Sequence, residues 1–136
     1  SHCLLLDEFI VREADAGRID SACFTDEART IHVHGHCHQK ALASIDSTLQ
    51  MLSLPGNYSV SEIPSGCCGM AGSFGYEKEH YEVSMQVGSL VLFPHLKELD
   101  QSILVAAAGT SCRHQITDCV DRTALHPAKI LRDAFA

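Results

Sequence analysis

The chain has 136 residues, of which 46% are hydrophobic and 20% are charged, a composition typical of one soluble globular domain. Its formal net charge of −7 argues against a nucleic-acid-binding face. No apolar run approaches the roughly 18 residues that a membrane-spanning helix needs, and no signal-peptide pattern is visible, so we predict a cytoplasmic protein. Seven cysteines in a reducing compartment are more often metal ligands or redox groups than disulfides.

The first half of the chain reads as helix, strand, helix and strand. Residues 4–16 predict a helix that Gly17 ends. Apolar residues alternate with histidines over 30–36, which predicts the first strand. A leucine and isoleucine stripe at helical spacing predicts a helix over 38–52. Residues 58–63 predict the second strand.

The second half continues the alternation. A long helical stretch is predicted over 76–99, with a kink or a break near Phe93 because Pro94 follows it. The later predicted elements are a buried strand at 102–108, a helix at 112–120, a short strand at 122–125 and a last helix from Pro127. This order predicts an α/β fold: a Rossmann-like three-layer sandwich with a small parallel sheet of three to four strands and helices on both faces. We predict one domain over 1–136.

A cysteine follows each of the first three predicted strands. Cys37 follows the first strand, Cys67 and Cys68 follow the second, and Cys112 follows the third. Because parallel strands end at the same edge of a sheet, we expect these loops to meet there, and ligands bind at such edges. The sequence therefore predicts a metal centre held by four thiolates.

The cysteine pattern is compatible with more than one type of metal centre. Thiolates suit zinc or iron–sulfur clusters. Side chains of adjacent residues point apart, so Cys67 and Cys68 reach two irons of one cluster more easily than a single ion. This favours an iron–sulfur cluster, with zinc as the alternative. Possible further ligands or hydrogen-bond donors to the sulfurs are His34, His36 and His114. The glycines that we expect to shape the loops are Gly66, Gly69, Gly72 and Gly109.

Three motifs carry a resemblance to a known family. HGHCH at 34–38, SGCCGMAG at 65–72 and GTSC at 109–112 resemble the cysteine-rich CCG domain. That domain occurs in heterodisulfide reductases, in the iron–sulfur subunit of anaerobic glycerol-3-phosphate dehydrogenase, and in glycolate and lactate oxidation proteins. The first helix, with DEF at 7–9 and READAGR at 12–18, is similar to the C-terminal part of FAD-linked oxidases such as D-2-hydroxyglutarate and D-lactate dehydrogenases.

The resemblance implies a fragment of a longer FAD-linked oxidoreductase. Its expected partners are the FAD-binding and ferredoxin-type domains of the same parent chain and a second CCG half, and the parent would associate with membranes at most peripherally. The chain departs from the family's five-cysteine pattern at Gly109, where the final C-x-x-C would begin, so a four-ligand cluster such as [4Fe–4S], or zinc, is expected. The implied function is electron transfer from a flavin-dependent 2-hydroxy-acid dehydrogenase. The alternatives are a zinc-bound or metal-free docking module and a vicinal-dithiol redox site.

Overall fold

Residues 3–136, which the computed structural model describes, form a four-stranded parallel β-sheet with helices on both faces. The strands are β1 (Arg29–His34), β2 (Tyr58–Glu62), β3 (Leu104–Ala107) and β4 (Ala124–Leu125). The helices are α1 (Leu6–Asp15), α2 (Cys37–Leu42), α3 (Asp46–Leu52), α4 (Tyr81–Leu90), α5 (Leu92–Glu98), α6 (Thr110–Val120) and α7 (Pro127–Asp133). The predicted α/β three-layer sandwich with a small parallel sheet is confirmed.

The sheet has the strand order β2-β1-β3-β4, and every neighbouring pair is parallel. In the register, Ile31 of β1 lies opposite Val60 of β2 and Leu104 of β3. The chain runs from β1 to β2 on one side and then returns to β3 on the other. The crevice between the carboxyl ends of β1 and β3 is therefore a topological switch point, where open α/β sheets bind ligands.

Each face of the sheet has its own apolar core. In β3, Val105 and Ala107 pack with α5 and α6, whereas Ala106 packs with α3 and α7 on the other face. Side chains alternate between the two faces of a strand, so a strand that is covered on both faces needs apolar residues at successive positions. This explains the continuous apolar run from which the third strand was predicted.

The single helix predicted over 38–52 is wrong, because the chain breaks between α2 and α3. Ala43 is extended, with φ −147° and ψ 178°. Ser44 then accepts a hydrogen bond at Oγ from the Asp46 N–H at 3.0 Å, which satisfies a free donor at the start of α3. Leu42 is 75% exposed, so it does not continue the buried stripe of α3.

The helical stretch predicted over 76–99 begins later than expected and is interrupted. Two 3-10 turns at 74–76 and 78–80 precede α4, and the chain breaks at Val91 before α5 begins. This break lies close to Phe93 and confirms the predicted interruption. Pro94 is the third residue of α5, where its missing N–H has no intrahelical partner to lose. Gly88 allows the Phe93 ring to pack closely, since a Cβ there would lie 2.6 Å from Cε2.

The remaining boundaries follow the sequence pattern closely. Gly17 has φ +77° directly after the first helix, as expected of a helix stop. His126 caps α7 by accepting a hydrogen bond at Nδ1 from the Ala128 N–H at 3.1 Å, and Pro127 is the first residue of that helix. Across residues 3–136, the structure contains no helix with both the length and the apolar character needed to span a bilayer.

Candidate metal centre

Loops from three neighbouring strands bring cysteines to the carboxyl edge of the sheet. Cys37 is the first residue of α2, which follows β1. Cys67 and Cys68 lie in the loop after β2, and Cys112 lies in the first turn of α6, which follows β3. Of the remaining described cysteines, Cys3 precedes α1, Cys23 ends a 3-10 turn before β1, and Cys119 lies near the end of α6.

Two of these thiols and one imidazole form a buried cluster. The Cys68 and Cys112 Sγ atoms are 3.3 Å apart, and both residues are 3% exposed. His34, at the end of β1, is 2% exposed. One ligand atom from each of the three residues lies within 4.8 Å of the others, and no other such group occurs in the described part of the chain. We call these three residues the buried triad.

The His34 side chain is held by one ring nitrogen and is unpaired at the other. Its Nδ1 is 2.7 Å from Ser65 Oγ, in the loop after β2. Its Nε2 has no hydrogen-bond partner of normal geometry among residues 3–136, although it is buried. A buried polar atom without a partner costs about 1–3 kcal/mol, so such an atom marks a position suited to binding a ligand.

Cys37 and Cys67 form an outer pair beside the buried triad. Cys37 is exposed and Cys67 is half-buried. Partial desolvation raises the pKa of Cys37, and the neighbouring Cys67 thiol raises it further. The Gly69 N–H donates to Cys67 Sγ at 3.3 Å, a contact that stabilises negative charge on sulfur.

The two buried thiols share a proton unequally. Cys68 donates to Cys112, and this hydrogen bond, together with burial, raises the pKa of Cys68 to about 12. The same hydrogen bond lowers the pKa of Cys112. The neighbouring His34 ring opposes the rise at Cys68. A thiophilic cation that binds here must displace this proton, which makes its affinity dependent on pH.

The predicted loop glycines differ in what the structure requires of them. Gly69 has φ +99°, and a Cβ there would overlap the backbone carbonyl of Ser84 in α4. Gly72 has φ +73°. Gly109 is crowded, since a Cβ would lie 3.0 Å from Cys112 Sγ and 3.1 Å from His36 Nε2. Gly66 has open space around it and no positive φ, so nothing there requires a glycine.

The other two predicted histidines lie outside the buried triad. The His36 ring lies beside Gly109, and burial, followed by the charge of His38, lowers the pKa of His36. His114 is near the surface, where its Nδ1 is 2.6 Å from the Tyr76 hydroxyl.

Two positioning residues were missed in the sequence. Gln115 donates from Nε2 to the Cys68 carbonyl oxygen at 3.1 Å and to Ser84 Oγ at 3.0 Å. Lys40 donates from Nζ to the Ser65 carbonyl oxygen at 2.8 Å. Gln115 follows Cys112 by three residues on α6, and Lys40 follows Cys37 by three residues on α2. This spacing places each residue on the same helix face as the cysteine before it. That spacing was the signal available in the sequence.

The donor set fits a thiophilic metal. Thiolate sulfur and imidazole nitrogen together suit zinc, and thiolates alone suit zinc or iron–sulfur clusters. The pair of buried thiols and the unpaired His34 Nε2 are donors that a metal would satisfy together. Two further thiols lie beside them in the outer pair.

Comparisons with known proteins agree with the resemblance carried by the motifs. No family model and no solved structure matches the chain. An anaerobic glycerol-3-phosphate dehydrogenase subunit from Escherichia coli K12 is 32% identical over 104 residues, which are 76% of this chain and 26% of that protein. The D-2-hydroxyglutarate dehydrogenase from Pantoea ananatis is 30% identical over 101 residues, and the one from Pseudomonas putida is 31% identical over 98 residues. The chain is therefore homologous to dehydrogenase proteins.

These homologues confirm the predicted resemblance to the group of FAD-linked and iron–sulfur oxidoreductases that carry CCG domains. The two D-2-hydroxyglutarate dehydrogenase matches cover 74% and 71% of this chain but 10% and 9% of those proteins. The chain thus spans about a quarter of the glycerol-3-phosphate dehydrogenase subunit and about a tenth of the D-2-hydroxyglutarate dehydrogenases. The homologues indicate a role related to oxidation and reduction.

Proposed function

We propose that this chain is a thiolate-bound metal domain that passes electrons from a flavin-dependent 2-hydroxy-acid dehydrogenase toward an acceptor. The observation that carries the proposal is the gathering of thiols from the loops after β1, β2 and β3 at one edge of the sheet. The dehydrogenase homologues support a redox role for that edge.

Four cysteines would hold the metal centre: Cys37, Cys67, Cys68 and Cys112. An iron–sulfur cluster, with [4Fe–4S] as the expected type, would supply one-electron oxidation and reduction. The Gly69 N–H that donates to Cys67 Sγ stabilises sulfur in its anionic form. Gln115 fixes the backbone at Cys68 by its hydrogen bond to the Cys68 carbonyl oxygen.

The proposed parent protein contains the other parts of the electron path. Its FAD-binding domain would oxidise the substrate, its ferredoxin-type domain would relay electrons, and a second CCG half would lie beside this one. We propose a cytoplasmic parent with at most peripheral membrane association. On this proposal the isolated chain does not oxidise a 2-hydroxy acid. An assay of dye reduction with D-2-hydroxyglutarate and D-lactate checks this, and turnover by the chain alone would contradict it.

The central test is the metal content of protein purified without oxygen. Iron and sulfide in near-equal amounts, with the broad visible absorption of an iron–sulfur cluster, are expected. Cys68→Ser should abolish the cluster, because Cys68 is a buried proposed ligand whose Sγ lies 3.3 Å from Cys112 Sγ. Cys23→Ser is the matched control, since Cys23 is exposed and contacts the Asp20 carboxylate rather than the other thiols. A Cys68→Ser protein that keeps full iron, sulfide and colour would contradict the proposal.

A second candidate function is a colourless zinc-bound docking module that carries no electrons. The specific observation in its favour is the 3.3 Å separation of Cys68 and Cys112 Sγ, which is short enough for both to bind one ion. Stoichiometric zinc without iron would support this candidate. The vicinal-dithiol alternative is less favoured by the geometry, because Cys68 contacts Cys112 while Cys67 accepts from the Gly69 N–H.

A further inference from the structure

We propose that the cavity bordered by α1, α2, α3 and α7 binds a small primary amine, whose ammonium group pairs with the Asp7 carboxylate. The inference goes beyond electron transfer, because it needs neither the thiols nor a metal. Two observations carry it: a largely apolar cavity of restricted size, and a buried carboxylate in its wall that has no cationic partner among residues 3–136.

The cavity lies at the topological switch point of the sheet, where open α/β sheets bind ligands. Gln39, in the helix after β1, and Ala108, directly after β3, both line it. Met51 also lines it and belongs to the core that includes α7, whereas Cys68 and Cys112 belong to the core of the opposite face. The cavity is therefore separate from the candidate metal centre.

The size of the cavity restricts the ligand. Its volume is about 170 Å³, and its walls are largely apolar, with Met51, Ala108 and Pro127 among them. A cavity of about 150 Å³ is large enough for a benzene molecule, whereas pockets for drug-sized ligands have volumes of about 300–1,000 Å³. The ligand is therefore about the size of one six-membered ring with a short substituent.

The charged group in the cavity wall is Asp7, which is 8% exposed. Its Oδ1 accepts from the Glu8 N–H at 3.0 Å, and its Oδ2 accepts from Gln39 Nε2 at 3.2 Å and from the Thr48 hydroxyl. All three donors are uncharged, and Asp7 forms no ion pair within residues 3–136. A carboxylate has about four lone-pair sites, so one remains for a ligand. Buried carboxylates are normally paired, so a cation is the ligand that this site lacks.

The neighbouring basic side chains do not neutralise Asp7. Arg113 donates from Nη1 to the carbonyl oxygens of Ala107 and Ala108 at 2.9 and 2.7 Å. His126 also lines the cavity, but partial burial, followed by the charge of Arg113, lowers the pKa of His126, although Asp7 opposes this. The His126 ring is therefore neutral at pH 7. The negative charge of Asp7 is left for a ligand to pair with.

The rim of the cavity favours a ligand with an apolar body. Leu5 and Leu6 line the cavity although they are 47% and 55% exposed, and an apolar ligand would cover them. Asp7 would repel an anion, and a neutral alcohol would leave its charge unpaired. The net charge of −7 also favours the approach of a cation. A small primary amine combines the apolar body with the ammonium group.

Binding of a matched series of probes tests the inference. The chain, purified without oxygen, is titrated calorimetrically at pH 7 with benzylamine, benzyl alcohol and benzoate. Benzylamine should bind at one site with a Kd of about 1 mM or tighter. Benzyl alcohol should bind about 10–100-fold more weakly, because hydrogen bonds to charged groups are stronger than neutral ones. Isoamylamine and isoamyl alcohol repeat the comparison without an aromatic ring.

Three variants locate the site. Asp7→Asn should weaken benzylamine binding about 10–100-fold and benzyl alcohol binding by less than about threefold. Ala128→Leu, which keeps Asp7 but fills part of the cavity, should abolish the binding of both probes. Asp15→Asn is the matched control, since Asp15 is an exposed carboxylate at the other end of α1, and it should bind like the unaltered chain. Circular dichroism checks the fold of each variant.

The outcomes that overturn the inference are distinct. Equal affinity for an amine and its alcohol overturns the ammonium–carboxylate pair. Amine binding that Ala128→Leu leaves unchanged overturns the cavity as its location, and this result stands even if Asp7→Asn does not fold. Binding of neither amine overturns the inference as a whole. Iron and sulfide are measured separately, so each of these results leaves the proposed electron-transfer function standing, and a chain without metal that binds benzylamine selectively supports the inference alone.

Discussion

Replacement of Gly69 by alanine should strongly destabilise the domain. Gly69 has φ +99°, a conformation that residues with a side chain rarely adopt. A Cβ at this position would lie 3.0 Å from the Ser84 carbonyl carbon, closer still to its oxygen, and 3.2 Å from Gln115 Nε2. The Ser84 atoms belong to the backbone of α4, so they cannot move aside as a flexible side chain would.

The magnitude follows from these two effects. A strained φ costs about 1–3 kcal/mol, and an added methyl group in a packed site costs about a further 1–3 kcal/mol. The free energy of unfolding should therefore fall by about 2–6 kcal/mol. With an unfolding entropy of about 2.1 cal/mol/K per residue, a chain of 136 residues loses about 3.5 °C of Tm per kcal/mol, so Tm should fall by about 7–20 °C.

Urea unfolding of the reduced, metal-free protein, followed by circular dichroism, measures this difference without a contribution from metal binding. Gly66→Ala is the matched control from the same loop. A Cβ at Gly66 meets nothing within 4 Å and its φ is not positive, so the change should stay within about 0.5 kcal/mol. If Gly69→Ala unfolds at the same urea concentration as Gly66→Ala, the proposed packing of this loop against α4 is refuted.

Two further substitutions test polar networks away from the thiols. Arg122 is 8% exposed and donates to three backbone carbonyls, so Arg122→Met should lower the free energy of unfolding by about 2–4 kcal/mol. Thr48 donates its hydroxyl proton to the buried Asp7 carboxylate, so Thr48→Val should cost about 1.5–3 kcal/mol. Urea unfolding checks both, with exposed Arg132→Met and Thr117→Val as controls expected within about 0.5 kcal/mol. Equal midpoints for a variant and its control would contradict the assigned network.

The parallel sheet was predictable because its strands have distinct residue patterns. Alternation around Ile31 and the apolar run at β3 each have a direct cause in burial on one or both faces. The break between α2 and α3 was missed because apolar spacing alone does not reveal it, whereas Pro94 indicated the break before α5. Ser44 accepts a hydrogen bond from the Asp46 N–H at the start of α3, so a local signal for that helix start was present in the sequence.

The candidate site was only partly predictable. Because parallel strands end at the same edge of a sheet, the loops that contain Cys37, Cys68 and Cys112 could be predicted to meet there. That rule does not predict which side chains point inward. The burial of His34 depends on how the loop after β2 folds over the end of β1, and its contact with Ser65 spans 31 residues of sequence. Contacts of that kind are set by tertiary packing and have no local signature.

The hydrogen bonds that hold the loop after β2 also bear on the rate of metal uptake. Gln115 fixes the Cys68 carbonyl oxygen, Lys40 fixes the Ser65 carbonyl oxygen, and all of these contacts are made by protein groups alone. In zinc fingers, by contrast, the chain folds only as the metal binds. Uptake here should therefore be a simple second-order process whose rate rises linearly with metal concentration. The far-ultraviolet circular dichroism signal should stay constant while the metal enters.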